Sequence, residues 1–209
     1  MRRRDTIKVY HIHRDYFKKK MLTDYVTDIS RWEAWQKEYR YGGLMIIPPD
    51  PPFARVETLR KKYDPKGQAI CCPHISVTVP FPRALSDANW YEIKSIVSGI
   101  KPFTIKYGPL INFLPNPGVC LAIEPLAEMD NLRAALEKAA AFRGAPPRKY
   151  PFLPHMTIAE FITEEETKEL MVKLEKVAPV GSFFCTRVFY AVPDKYFHFT
   201  ERGGLGFYG

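Results

Sequence analysis

At 209 residues and 46% hydrophobic content, the chain is long enough for one globular unit or two small lobes sharing a core, and too apolar for a disordered tail. No run approaches the roughly eighteen uninterrupted apolar residues of a membrane span, and Met1-Arg2-Arg3-Arg4-Asp5 leads into no apolar signal core, so a soluble, cytoplasmic protein is expected. Of the net charge of +8, +5 falls in residues 1–43, a basic flank that would gather a polyanion or simply stay solvated.

In chain order, residues 1–43 read as a basic, partly helical N-terminal extension, with Lys18-Lys19-Lys20 and a helix over 30–40 opened by a Ser30/Glu33 capping box. Gly42-Gly43 breaks that pattern, and the main domain, 44–209, begins with the short apolar strand Leu44-Met45-Ile46-Ile47, stopped by Pro48-Pro49. Periodicity then predicts a helix over 54–62, a strand over 70–79, a helix over 89–98, strands over 103–107 and 119–123, and a helix over 131–142. The second half gives a strand over 155–161, a helix opened by Thr163 with acids at 164–166, and closing strands over 183–192 and 196–200.

One segment occurs twice: Pro73-His74-Ile75-Ser76-Val77 and Pro154-His155-Met156-Thr157-Ile158 share the pattern Pro-His-apolar-hydroxyl-apolar, and a helix follows each. The repeat suggests two similar lobes facing each other. On a strand, the side-chain period of two puts His74 with Ser76, and His155 with Thr157, on one face, about 6.6 Å apart along the chain. The apolar partners would pin each strand to the core. Two imidazoles near neutral pKa can act as base and acid in phosphoryl transfer, with Ser76 and Thr157 holding the non-bridging oxygens. A third match, His198-Phe199-Thr200, ends in Glu201 and lacks the preceding proline, so His198 reads as structural or rim-lining. Cys71, Cys72, Cys120 and Cys185 read as free thiols. Neither they nor His11-x-His13 have usual metal-ligand spacing, so no metal and no cofactor is expected.

At these residues the sequence resembles the 2H phosphoesterase superfamily, whose members carry two H-x-[ST]-x-apolar strands and include 2′-5′ RNA ligase-like proteins and cyclic phosphodiesterases. The resemblance covers residues 44–209. Arg60-Lys61-Lys62-Tyr63-Asp64-Pro65 and Phe152-Leu153-Pro154 resemble a bacterial branch of unassigned substrate. It implies an α+β fold of two pseudo-twofold-related lobes, each an antiparallel sheet backed by helices, around a cleft holding both histidines. The expected activity is metal-independent hydrolysis or formation of 2′,3′-cyclic phosphate or 2′-5′ phosphodiester bonds, with RNA ends or small nucleotides as partners and a monomer as the assembly. A non-catalytic RNA-binding module, or an enzyme acting on an ADP-ribose cyclic phosphate, is the alternative. Arg148, Lys149 and Tyr150 are candidates for contacting phosphate or base, and Tyr63 and Phe152 for stacking on a base.

Overall fold

A computed structural model describes residues 24–113 and 116–209; His11, His13 and Lys18–Lys20 lie outside them. Strands β1 (Gly43–Ile46), β2 (Ile75–Ser76), β7 (Arg187–Pro193) and β8 (Phe199–Gly206) form one sheet in the order β2-β1-β7-β8. Strands β3 (Phe103–Asn112), β4 (Val119–Glu124), β5 (His155–Ala159) and β6 (Gly181–Cys185) form a second, in the order β5-β4-β3-β6. Every pairing is antiparallel. Overlaying the two orders sets β2 against β5 and β1 against β4, so each histidine motif lies on the same edge of its own sheet.

The helices follow from local chemistry. Pro52 opens α2 (Pro52–Tyr63), whose buried face is Pro52, Val56 and Arg60. Asp64 then caps α3 (Pro65–Ile70) by accepting from the Gly67 amide at 2.8 Å. Ser86 with Asn89 and Thr163 with Glu166 make capping boxes for α4 (Asp87–Ser98) and α6 (Glu164–Leu174). Between β4 and β5 stands α5 (Leu126–Glu137), followed by a 3-10 turn at Ala140–Phe142. Most of the buried hydrophobic residues form one core drawing on both sheets, among them Leu44, Ile75 and Val188 from the first and Ile105, Leu121 and Met156 from the second, while Met45, Cys71 and Ala191 make a small second cluster. The lobes therefore share an interior. No helix among the described residues is long and apolar enough to cross a membrane.

Four expectations are corrected. The helix over 30–40 contracts to α1 (Ala34–Lys37), capped by the Glu33/Gln36 pair rather than by Ser30. The strand over 70–79 keeps only β2, because Asp64-Pro65 starts α3 ahead of it and the Val77 and Thr78 amides both turn to the Leu44 carbonyl, at 3.0 and 3.4 Å. The strand over 183–192 is two strands in different sheets: β6 pairs with β3, whereas β7 lies between β1 and β8. The helix over 131–142 starts earlier, at Leu126, and ends at Glu137.

Residues 24–42 lie against the first sheet. Trp32 is buried with its ring 5.1 Å from that of Phe197, and the Tyr25 hydroxyl meets that of Tyr190 at 2.9 Å. Gly42, at φ +73°, passes so close to β7 that a Cβ there would collide with the Ala191 carbonyl.

Arg60 ties the two lobes together. Only 2% exposed, its guanidinium donates to the Thr157 carbonyl of β5 at 3.0 Å and to the Cys71 carbonyl ahead of β2 at 3.2 Å. Arg60→Met keeps the length and burial but removes both donors. Each orphaned carbonyl costs about 1–3 kcal/mol, partly offset by no longer burying a cation. Urea unfolding should show a loss of about 2–4 kcal/mol; a change below about 0.5 kcal/mol would mean that the carbonyls find other partners.

Candidate active site at the seam of the two sheets

The motif strands meet where the sheet edges abut, β2 lying beside β5. Along each, the apolar residues turn inward: Ile75 and Val77 are fully buried in the first motif, Met156 and Ile158 in the second. His74, His155 and Thr157 are left half-buried and Ser76 exposed.

Both imidazoles are held in the same way. His74 Nδ1 lies 2.8 Å from the Cys72 carbonyl, and His155 Nδ1 lies 2.8 Å from the Leu153 carbonyl, two residues back in each case. A carbonyl can only accept, so Nδ1 carries the proton and donates, and Nε2 of each neutral ring is the basic atom. Burial pushes both rings below the ordinary histidine value of 6.5, against the opposing pull of the carbonyl bond. A charge on His74 lowers His155 further. The Phe113 ring lies 3.9 Å from that of His155, tilted by 34°.

The hydroxyl of Thr157 accepts from Cys120 Sγ at 3.7 Å, its cross-strand neighbour. One residue further on, β5 departs from regular pairing: Cys120 faces Thr157 but Val119 faces Ala159, which leaves Ile158 as an extra residue. The bulge shifts the alternation by one, so Ile158 and Ala159 are both buried and Glu160, not Ala159, comes out on the side of Thr157. Its amide donates to Asp64 Oδ2 at 3.2 Å. Burial raises the Glu160 carboxyl above its usual range while Arg60 and His74 draw it back, and its charge in turn favours protonation of His74. From the N-terminal segment, the Tyr39 phenol is pushed up by burial and by the Glu160 charge.

The other sequence-predicted residues lie elsewhere. Arg148 is paired with Glu137 at 2.6 Å and donates to the Val77 carbonyl at 3.1 Å, which ties it to the end of the first motif. The Phe152 ring carries the guanidinium groups of Arg148 and Arg133 at 4.9 and 5.5 Å, and Lys149 lies over exposed Tyr150 at 5.7 Å. These four, with Asp130, Arg133 and Pro151, line an open depression of about 510 Å³. Tyr63 sits between Lys62 and Lys173, at 5.1 and 5.2 Å, against α6. His198 is in the hairpin between β7 and β8, 3.8 Å from Asp194. Sequence reasoning assigned no role to Arg60, Asp64, Glu160, Tyr39 or Phe113. Arg60 carried a signal, a cation on the inward face four residues after Val56. Among the described residues no three His, Cys, Asp or Glu side chains converge as a metal site requires.

Comparisons with known proteins agree with this fold. The E. coli LigT structure superposes with a TM-score of 0.55 at 16% identity, over 80% of this chain and 96% of that one. TT0787 of Thermus thermophilus gives 0.54 at 13% identity, over 80% and 97%. At those identities the likeness shows the fold. A Bacillus cytotoxicus protein named "Putative phosphoesterase" is 29% identical over 135 residues, 63% of this chain and 76% of that protein, and a Bacillus thuringiensis protein of the same name is 28% identical over 137. The family model described as the 2′-5′ RNA ligase superfamily matches residues 48–195, most of the chain. The chain belongs to the 2′-5′ RNA ligase superfamily, the 2H phosphoesterases.

Proposed function

We propose that the protein is a metal-independent phosphoesterase that opens 2′,3′-cyclic phosphates or cleaves 2′-5′ phosphodiesters of RNA ends or small nucleotides, with His74 and His155 as its acid and base. The observation that carries this reading is the matched pair of tethers: each Nδ1 is tied to a carbonyl at 2.8 Å, so each ring presents Nε2 as its proton-exchanging atom. In the hydrolytic direction one Nε2 takes a proton from the attacking water as its oxygen bonds to phosphorus. The other ring gives its proton to the departing ribose oxygen as that bond breaks. Ser76 and Thr157 hold the non-bridging oxygens, where the charge needs donors. The reverse sequence joins the same bond. LigT has been crystallised with 3′-AMP, NADP+ and ATP, which favours nucleotide-sized substrates here. Four free cysteines fit a reducing compartment, so we place the reaction in the cytoplasm.

Turnover of 2′,3′-cyclic nucleotides and 2′-5′ dinucleotides in the presence of a chelator tests reaction class and metal independence together. His74→Ala and His155→Ala should each lose about 10²–10⁴-fold in turnover, roughly 2.7–5.4 kcal/mol of transition-state stabilisation, with the thermal unfolding midpoint nearly unchanged. Full activity in either variant would refute the assignment. No turnover by the wild type, combined with RNA affinity that falls steeply with salt, would identify a binding module instead.

The pH dependence has a definite sign. Both rings are held below 6.5 in the free protein, so the acid gives up its proton on the acid side of that value, and kcat/KM should peak there and already be falling before pH reaches neutrality. For stability, the unfolded chain takes up protons at these rings near 6.5 while the folded chain resists. Stability is therefore full above that value and falls as pH drops below it. A His74→Gln/His155→Gln double variant should lose less of its unfolding midpoint on acidification than the wild type, and an equal loss would contradict the burial of the rings.

A further inference from the structure

We infer that the exposed aromatic ledge of Phe161 and Trp35, edged by Lys66, is the subsite that stacks the nucleobase of the substrate. The inference rests on the reading of His74 and His155 as a phosphoesterase pair and adds to it the part of the substrate that lies beyond the phosphate.

Phe161 follows Glu160 directly and adopts φ 59°, a left-handed conformation unfavourable for a bulky side chain. Its ring is 48% exposed, so core packing does not compensate for the backbone. The tight passage from β5 to the Thr163 cap imposes the conformation, but asparagine or glycine would meet that demand more easily. A phenylalanine kept strained and wetted at the end of the second motif strand points to a ligand.

Trp35 lies 5.8 Å from Phe161, tilted by 38°, and is 36% exposed. It is fixed from behind: buried Phe197 meets it edge-on at 5.1 Å, Tyr39 lies at 6.3 Å, and its indole N–H donates to Glu33 at 2.8 Å. Lys66 Nζ lies over the Phe161 ring, 4.7 Å from its centroid, a cation–π contact whose donors a base carbonyl could take up. The ledge is therefore built before any ligand arrives.

The ledge also adjoins the seam. Phe161 follows Glu160, whose amide donates to Asp64 at 3.2 Å, and Asp64 caps the helix that carries Lys66; Lys66 and His74 both draw on the Glu160 carboxylate, so ledge and histidine share one neighbourhood. A flat, polarisable ring system joined to a phosphate is what such a surface accepts, whichever base it is. Tyr63 and Phe152, expected to stack a base, are half-buried and each carries two cations, whereas Phe161 is exposed and carries one. The N-terminal segment thus supplies Trp35 to a site whose acid and base come from the two lobes.

Steady-state kinetics on adenosine 2′,3′-cyclic phosphate and on ribose 2′,3′-cyclic phosphate, which lacks the base, test the proposal. The wild type should prefer the nucleotide through a lower KM. Trp35→Ala and Phe161→Asn should reduce that preference, the ratio of kcat/KM values, by about tenfold or more. Asparagine tolerates φ > 0, so Phe161→Asn should unfold at the same or a higher temperature, which separates lost stacking from lost folding. Equal KM values for both compounds in the wild type, or variants that leave the preference intact, would overturn the ledge. If the wild type hydrolyses neither compound, the phosphoesterase reading fails by itself. Calorimetric binding of 3′-AMP to the wild type and to Phe161→Asn then decides the ledge, with equal affinities overturning it.

Discussion

The site depends on one buried cation. Arg60 reaches from α2 to a carbonyl on each side of the seam, Cys71 before the first motif and Thr157 within the second. Cys71 stands on the approach to the edge strand β2 and Thr157 lies on the edge strand β5, so the guanidinium bridges two sheet edges that backbone pairing leaves unconnected. Asp64, one turn later, reinforces the arrangement by capping α3 and holding the Glu160 amide. The chemistry proposed for the two rings would thus rest on a joint that this guanidinium holds.

Within that joint the two histidines are equivalent in mounting and unequal in surroundings. Each has the same tether to the carbonyl two residues back, which fixes ring orientation and tautomer without a carboxylate behind it. Only His74 has Arg60 and Glu160 beside it, whereas His155 has the ring of Phe113. The bulge at Ile158 creates part of this asymmetry, because it turns Glu160 to the side of Thr157 on one lobe alone. Near-identical motifs thus come to stand in different electrostatic environments.

Much of this was legible in the sequence, and the exceptions have physical causes. The Pro-His-apolar-hydroxyl-apolar repeat gave the motif strands and their inward and outward faces, because a period of two is local. Arg60 was visible only as a charge on an apolar helix face, since its partners are 11 and 97 residues away. The run from Phe183 to Val192 read as one strand because nearly every residue in it favours β structure. The sign of the break is a change of phase: Phe183 and Cys185 point inward, Thr186 and Arg187 are both exposed, and Val188, Tyr190 and Val192 point inward again. The last strand, expected over 196–200, runs instead from Phe199 to Gly206; Gly203, Gly204 and Gly206 hid its extent, because their pairing with β7 comes from backbone groups.

The crossing from one sheet to the other at Thr186 also orders how the molecule can be assembled. The second sheet is drawn from an unbroken stretch of chain between Phe103 and Cys185, whereas the first takes β1 and β2 from the beginning and its interior strand β7 from the end. A growing polypeptide therefore holds all of one lobe while the other still lacks the strand that joins its halves. His74 leaves the ribosome well before His155, yet the sheet on which it is mounted is the last to close.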